Sequence, residues 1–186
     1  MRNLFLAICF LLGASAGVLS AQDKYFTKDG KIFFHSDAKL EKIEAVNNKV
    51  SSVLEIATGK MEFSVLMKGF AFEKALMQEH FNENYVESDK FPKTVFKGAI
   101  ADLKSVNFAK DGSYNVTVSG QMTMHGVTKP VSAAGTVEVK GGTIVAKSKF
   151  KLPLADYGIT IPSVVADNIS KEVEISVNMD YKPFTK

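Results

Sequence analysis

The sequence is poor in the residues that most often build reactive or anion-binding sites. Its 186 residues include one cysteine, Cys9, and one arginine, Arg2. Both lie within residues 1–21, where a cationic start and a short apolar run lead to small residues before Ser20 and Ala21. This pattern is typical of a secretory signal peptide, so we expect cleavage after Ser20 or Ala21. The remaining domain, residues 22–186, would then lack thiols, disulfides and the guanidinium that usually clamps a phosphate or carboxylate.

The predicted mature chain also lacks a strong charge bias and a second long apolar run. Its 22 lysines stand against 20 acidic residues, a net charge of +2. Because nucleic-acid-binding proteins usually have a clustered basic face, we expect no nucleic acid as a partner. No apolar stretch after the N-terminal run approaches the ~18–20 residues that cross a bilayer as a helix. The sequence therefore predicts an exported protein, periplasmic or extracellular, that is not an integral membrane protein.

What the chain does contain is alternation of apolar and polar residues at period two, typical of half-buried antiparallel strands. The pattern predicts eight strands, over residues 31–37, 46–57, 60–69, 94–103, 113–124, 130–140, 143–153 and 171–181. Thr58-Gly59, Asp111-Gly112 and Gly141-Gly142 lie between apolar segments and predict tight hairpin turns, since such pairs accept positive φ.

One segment departs from this alternation. Residues 72–85 carry apolar side chains at helical spacing on one face and charged or polar side chains on the other, which predicts a helix inserted between the third and fourth strands. Eight sequential strands with hairpin turns favour an all-β fold, a closed antiparallel lipocalin-like barrel, because closure removes the exposed sheet edges.

Small residues interrupt the apolar stripes of several predicted strands. They are Gly98, Gly120, Ala133, Gly135, Ala146 and Ser148. In an eight-stranded barrel, a stripe of mixed large and small residues leaves room for an elongated apolar tunnel. The same glycines could instead ease strand bending at barrel corners, with the alanines interdigitating between larger neighbours. The pattern alone leaves both interpretations open.

Candidate catalytic chemistry is sparse. The three histidines, His35, His80 and His125, have no tight metal-ligand spacing, and no serine lies in a Gly-x-Ser-x-Gly setting. We therefore predict no catalytic residue, no metal, no cofactor and no enzyme activity. His35 is expected to face solvent, and His80 lies on the apolar face of the predicted helix. His125 lies in the tight connection Met124–Val127, where its ring could cap backbone groups or line the barrel mouth.

Three stretches of the chain match a known pattern. Residues 72–96 form one, and Gly120–Val131 another, in which the last ten residues fit a Leu-Thr-x-His/Arg-Gly-Val-Thr-x-Pro-Val motif. The third, Phe150–Ile159, fits a late x-Phe-Gly-Ile segment. With these residues the chain resembles the YceI-like family of polyisoprenoid-binding, lipocalin-like bacterial proteins. Many relatives carry an arginine shortly before the position of Tyr157, where this chain has Lys151-Leu152-Pro153-Leu154.

The resemblance implies a barrel that encloses an apolar chain-like ligand, such as a polyisoprenoid, an isoprenoid quinone or a related lipid. It places His80 and His125 at motif positions, and the absent arginine favours a neutral ligand over a diphosphate. The residues predicted to contact the ligand are Phe63, His80, Phe81, Phe96, Met122, His125, Ala133, Gly135 and Phe150. Two alternatives stay open: a lipid-active enzyme that uses His125, and a structural or stress-related module with a filled core. A homodimer is the commonest assembly to expect.

Overall fold

Nine antiparallel strands form one sheet in the computed structural model, which describes residues 24–184. The predicted signal peptide, residues 1–21, lies outside the described residues. The strands are β1 (Lys24–Asp37), β2 (Lys42–Glu55), β3 (Lys60–Leu66), β4 (Ala71–Phe72), β5 (Lys93–Ile100), β6 (Gly112–Met124), β7 (Val127–Lys140), β8 (Thr143–Pro153) and β9 (Glu172–Pro183). Their order in the sheet is β1-β9-β8-β7-β6-β5-β3-β2-β4, and β1 also pairs with β2. The sheet thus closes into the predicted eight-stranded barrel, with the two-residue β4 added beside β2.

Strand β1 begins seven residues earlier than the sequence predicts. Its pairing with β2 shifts register between Thr27 and Gly30 and again before Ile32. A β-bulge of this kind inserts an extra residue and breaks the period-two pattern. Lys28 and Asp29 are accordingly both exposed, side by side. The first half of β1 therefore cannot be recognised from alternation alone.

Two of the three predicted hairpin turns are present. Gly141 and Gly142 join β7 to β8 with φ of +55° and +77°, and Gly59 ends the β2–β3 turn with φ of +69°. The prediction of a hairpin at Asp111-Gly112 is wrong, because residues 101–111 form a longer connection with a 3₁₀ turn at Leu103–Ser105. The Asp111 carboxylate instead accepts a hydrogen bond from the Gly141 N–H (3.1 Å), so it joins two loops rather than turning the chain.

One helix is inserted between β3 and β5, as predicted. Helix α1 (Ala75–His80) continues as a wider π-type turn over Phe81–Tyr85, in which the Val86 N–H donates to the Phe81 carbonyl. The predicted start at residue 72 is three residues too early. Ala71-Phe72 instead form β4, which pairs with Ala45-Val46 of β2.

The interior of the barrel differs between its two ends. The filled half lies towards the β2–β3 and β7–β8 turns, and its fully buried side chains include Val50, Leu54, Ile144, Met179 and Tyr181. The hollow half extends to α1, the β6–β7 turn and residues 154–171. Several of its inward-facing apolar residues are only half-buried, namely Phe63, Phe96, Val118, Val131, Phe150 and Val177. Free space in the hollow half accounts for this difference.

Candidate ligand cavity

Two apolar cavities occupy the hollow half. The lower cavity, of about 160 Å³, lies inside the barrel and is enclosed by its strands. The upper cavity, of about 320 Å³, lies beneath the helix and residues 154–169. They share the lining residues Met67, Phe70, Met124, Leu152 and Ile175. The same side chains border both cavities, so the two cavities are adjacent and together extend from the middle of the barrel towards its open end. The upper cavity alone reaches the volume of small-molecule sites, about 300–1,000 Å³.

The polarity of the lining changes along this interior. In the lower cavity, the Thr94 hydroxyl donates to the Met67 sulfur (3.2 Å) and the Ser148 hydroxyl donates to the Ala134 carbonyl (2.7 Å). Both hydroxyl protons are therefore used within the wall. The upper cavity also contacts polar side chains, namely Ser36, Glu41, His80 and Asn168. This arrangement suits a long apolar chain whose polar end lies towards the open end of the barrel.

Four phenylalanines hold the helical segment over the open end. The ring of Phe81, in the π-type turn, lies 5.7 Å from Phe34, 5.6 Å from Phe70 and 5.0 Å from Phe72 between ring centroids. Offset and edge-to-face contacts at such distances contribute about 0.5–1.5 kcal/mol per pair beyond the burial of area. The cluster thus fixes the helix as a cover, with Phe34 from β1 and Phe72 from β4 below it.

The glycines of β5 and β6 do not simply leave empty space. Gly98 and Gly120 lie directly opposite each other across the two strands. A Cβ atom at Gly98 would lie 2.5 Å from Cζ of Phe96, and one at Gly120 would lie 2.8 Å from the same atom. The Phe96 ring therefore covers this glycine pair, and it packs edge-on against Phe63 at 5.9 Å between centroids. At this point the small residues make room for an aromatic side chain that itself lines the lower cavity.

His125 ties three segments together at the open end. It forms the β6–β7 turn with Gly126, at φ of +50° and +75°, the two positive values that a type I′ turn requires. Its Nδ1 lies 3.0 Å from the Tyr157 carbonyl oxygen, and its Nε2 lies 2.7 Å from Oε2 of Glu87. Glu87 also has a positive φ, +43°. Two residues in a costly backbone conformation are thus held by contact with each other.

Both ring nitrogens of His125 are engaged by these contacts, which hold the imidazole between the Glu87 carboxyl group and the Tyr157 carbonyl. The side chain is only 13% exposed, and the Phe91 ring packs against it at 4.8 Å between centroids. With both nitrogens engaged, the ring is not free to contact a molecule in either cavity.

Two tyrosines near the open end favour their uncharged forms. Burial raises the pKa of Tyr85, which lines the upper cavity, above its ordinary value. Burial, together with the nearby Asp156 carboxylate, does the same for the pKa of Tyr157. Within residues 24–184, no group of three or more His, Cys, Asp or Glu side chains is placed to hold a metal. His35 lies on the outer face, with Nδ1 3.1 Å from the Glu44 carboxylate. No helix in the same range is long and apolar enough to cross a membrane.

Residues 25–181 match the sequence profile of the YceI-like domain. The chain belongs to the YceI-like family. No curated protein matches it in sequence. Among solved structures, the YceI-like barrel is similar to a polyisoprenoid binding domain from Saccharophagus degradans implicated in plant cell wall breakdown. The TM-score is 0.75 at 15% identity, over 88% of this chain and 99% of that one.

Two further solved structures share this YceI-like fold. BcnA of Burkholderia cenocepacia aligns with a TM-score of 0.65 and 18% identity, over 80% of this chain and 94% of that one. The YceI protein of Campylobacter jejuni aligns with a TM-score of 0.50 and 13% identity, over 100% of this chain and 94% of that one. At such identities the likeness concerns the fold.

The predicted contact residues fall into three groups in this YceI-like barrel. Those that line the lower cavity are Phe63, Phe96, Met122, Ala133, Gly135 and Phe150. His80 and Phe81 line the upper cavity instead. His125 lines neither cavity, because its ring is directed to Glu87 and Tyr157. Contact of these residues with a ligand stays a prediction.

Sequence reasoning missed the junction between the two cavities. Met124 and Leu152 continue stripes that already contain Met122 and Phe150, so alternation could have added them. Ile175 lies in the predicted last strand and could have been added in the same way. Phe70 carries no such signal, because it follows the 3₁₀ turn Met67–Gly69 and reaches the cavity through an irregular segment.

Proposed function

We propose that this protein binds an apolar chain-like ligand, such as a polyisoprenoid, an isoprenoid quinone or a related lipid, in the hollow half of the barrel. The observation that carries the proposal is the pair of adjacent apolar cavities, both of which are bordered by Met67, Phe70, Met124, Leu152 and Ile175. The polyisoprenoid binding domain from Saccharophagus degradans, which has the same fold, supports the same class of ligand.

The hydrophobic effect is sufficient for such binding without a charged clamp. Each buried CH₂ contributes about 0.8 kcal/mol, so a prenyl chain of roughly fifteen carbons contributes about 12 kcal/mol. Lost translational and rotational freedom costs at least about 4 kcal/mol. The remaining ~8 kcal/mol corresponds to a micromolar Kd. A neutral prenyl, quinone or fatty-amide ligand therefore fits a chain whose one arginine lies in the predicted signal peptide.

The proposed setting is outside the cytoplasm, in the periplasm or the cell exterior, where the protein would carry or store its ligand or act in a stress response. The support is the cationic start, apolar run and small residues of positions 1–21. The mass of the protein recovered from its own host tests this point. We expect a mature chain that begins at Ala21 or Gln22, and a full-length chain in the cytoplasm would contradict it.

The most direct test of the cavity compares two neighbouring alanines of β7. Ala133 faces the lower cavity, whereas Ala134 is exposed on the outer face. We expect Ala133→Phe to weaken binding of all-trans-retinol, a fluorescent isoprenoid alcohol, by tenfold or more, about 1.4 kcal/mol. Ala134→Phe is the matched control and should bind as the wild type does. Equal retinol affinity in both variants would contradict the cavity as the binding site.

Gly135 is a less suitable position for this test. A Cβ atom there would lie 2.5 Å from the Lys147 carbonyl oxygen of β8, which is backbone and cannot move aside freely. A larger residue at 135 would therefore disturb the pairing of β7 with β8 as well as fill the cavity. Lost binding in Gly135→Phe could therefore come from either disturbed strand pairing or a filled cavity. Ala133→Phe tests the filled cavity alone.

The two alternatives have less support from the geometry. An enzyme that uses His125 would need a free ring nitrogen near the substrate, but both nitrogens are hydrogen-bonded and the ring lies outside both cavities. A module with a filled core would lack the free volume of the hollow half. We therefore infer a binding protein rather than a catalyst.

A further inference from the structure

The wall of the barrel is incomplete between β7 and β8. The two strands pair from Lys140 and Thr143 up to Gly135 and Ser148, where the pairing stops. Beyond that point β7 stays paired with β6 as far as Val127, and β8 stays paired with β9 as far as Pro153. The two strands therefore diverge and leave an opening between residues 127–134 and residues 149–153. We call this opening the β7–β8 gap.

At the base of the gap and along its β7 edge, particular residues compensate for the missing ladder hydrogen bonds. The Ser148 hydroxyl donates to the Ala134 carbonyl (2.7 Å), which has no ladder partner on β8. In an antiparallel strand, alternate residues direct their backbone groups to the same neighbour. Ser132 and Pro130 therefore direct theirs to the gap, as Ala134 does. Proline has no N–H to leave unpaired and is accepted on a strand edge.

The top of the gap is closed by the His125 tie. The 3₁₀ turn Leu154–Tyr157 follows β8 directly, and its Tyr157 carbonyl accepts from Nδ1 of His125 in the β6–β7 turn. The gap is thus a window in the side of the barrel, limited below by Ser148 and above by Tyr157. Leu152, on its β8 edge, lines both cavities, so the window lies beside the whole ligand interior.

Two other irregularities of the wall are plugged by buried side chains. Where β2 loses its pairing with β3 beyond Ser51 and Ser64, Asn47 is 0% exposed and its Nδ2 donates to the Leu66 carbonyl (2.9 Å). At the β1 bulge, Met179 is also 0% exposed and packs against Gly30. At the β7–β8 gap, by contrast, the inward residues are half-buried and line the lower cavity, namely Val131, Ala133 and Phe150.

We propose that the β7–β8 gap is the route by which an apolar chain enters and leaves the cavity. This inference rests on the proposed function. A long chain can pass sideways between Ala133 and Phe150, with apolar contact on both edges, and need not pass end-first through the four phenylalanines that hold the helix over the open end. The gap therefore sets the rates of uptake and release rather than the affinity.

Cross-linking the two edges of the gap tests this route. In a Cys9→Ser background, Ser132→Cys and Lys151→Cys place two thiols on exposed, outward-facing positions of β7 and β8. A cleavable bis-maleimide is applied to the folded protein, and all-trans-retinol uptake is followed by fluorescence. We expect uptake and release to slow by about tenfold or more, since each tenfold step is about 1.4 kcal/mol in the barrier. The Kd should not change, and cleavage of the linker should restore both rates.

The matched control uses an exposed pair in the paired part of the same strands. Lys140 and Thr143 lie directly opposite each other there and line neither cavity, so cross-linking Lys140→Cys with Thr143→Cys should leave both rates unchanged. Unchanged rates in the cross-linked Ser132→Cys, Lys151→Cys protein would overturn the gap as the route, while its retained binding would leave the proposed function intact. Absence of retinol binding before cross-linking would contradict the proposed function itself.

Discussion

The filled and hollow halves of the barrel are built from the same strands and the same alternation, yet their interiors differ. In the filled half, Leu54, Met179 and Tyr181 leave essentially no exposed surface, and the Tyr181 hydroxyl donates to Ser52 Oγ (2.6 Å), which in turn donates to the Glu62 carbonyl (2.9 Å). In the hollow half, apolar side chains border free volume as well as one another. One half therefore holds the fold together, and this permits the other half to stay open.

The difference also appears in how the two ends are closed. The filled end is closed by packing and by tight turns such as Gly141-Gly142. The open end is covered by a helix that four aromatic rings hold in place, and its loops are joined by the polar contacts of His125 with Glu87 and Tyr157. Polar ties and aromatic covers can be released locally, whereas a packed core responds as a unit.

The largest difference between the halves is expected from a matched pair of leucines. Leu54 is 0% exposed in the filled half, and Leu152 is 7% exposed where the two cavities meet. Leu54→Ala should lower the free energy of unfolding by about 2–5 kcal/mol, because it creates a cavity in a packed core. Leu152→Ala should cost less, because its side chain already borders free volume. Denaturant titration measures both.

For retinol affinity, we expect the opposite order of effects in these two variants. Leu152→Ala should change it, because the side chain lines the candidate site, and Leu54→Ala should leave it unchanged. If the two variants lose equal stability and bind equally well, the division of the barrel into a filled and a hollow half is wrong.

A smaller effect is expected from the tie at the open end. His125→Asn removes the two ring hydrogen bonds but keeps a residue that tolerates positive φ. We expect a loss of about 1.5–3 kcal/mol, the usual range for hydrogen bonds to charged groups. Amide exchange should increase first in residues 86–92 and 154–158, while the filled half stays protected. Equal exchange throughout the barrel would contradict a local role for the tie.

The smallest effect is expected from the buried hydroxyl of the filled half. Tyr181→Phe removes one hydrogen bond and should cost about 1 kcal/mol at neutral pH. Burial raises the pKa of Tyr181 in the folded state above its unfolded value of about 10. The neutral phenol therefore contributes stability that is fully present below about pH 10 and is lost as the pH rises further.

Comparison of the wild type with Tyr181→Phe separates the pH-dependent stability contributed by Tyr181 from that of the other tyrosines. Above about pH 10 the wild type should lose stability faster than the variant, so that the difference between them shrinks. The free energy of unfolding measured from pH 7 to pH 11 checks this. A constant difference over the whole range would show that Tyr181 does not ionise more readily on unfolding.

Alternation was sufficient to predict most of the barrel, because each strand has one face on the interior and one in water. It could not predict the bulge in β1 or the loop at residues 101–111, since both depend on irregular backbone. Nor could it predict the partners of His125, which lie 38 and 32 residues away in the chain. The motif indicated a functional or structural role for His125, but only the tertiary contacts show that it joins loops outside the cavities.

The small residues illustrate what a stripe can and cannot predict. The spacing of Ala133 and Gly135 on one stripe indicated an inner surface with room, and both line the lower cavity. The similar spacing of Gly98 and Gly120 indicated the same, yet there the Phe96 ring takes the space. A sequence records which side chains are small, and the rotamer of a neighbouring aromatic decides whether the space stays free.

The most direct test of the central claim is native mass spectrometry of the protein purified from its own host, alongside Ala133→Phe and Ala134→Phe. We expect a hydrophobic adduct of defined mass on the wild type and on Ala134→Phe, and its loss from Ala133→Phe. An adduct retained equally by Ala133→Phe would contradict a ligand site in the hollow half. A wild-type barrel that is consistently empty and takes up no retinol would contradict the binding function.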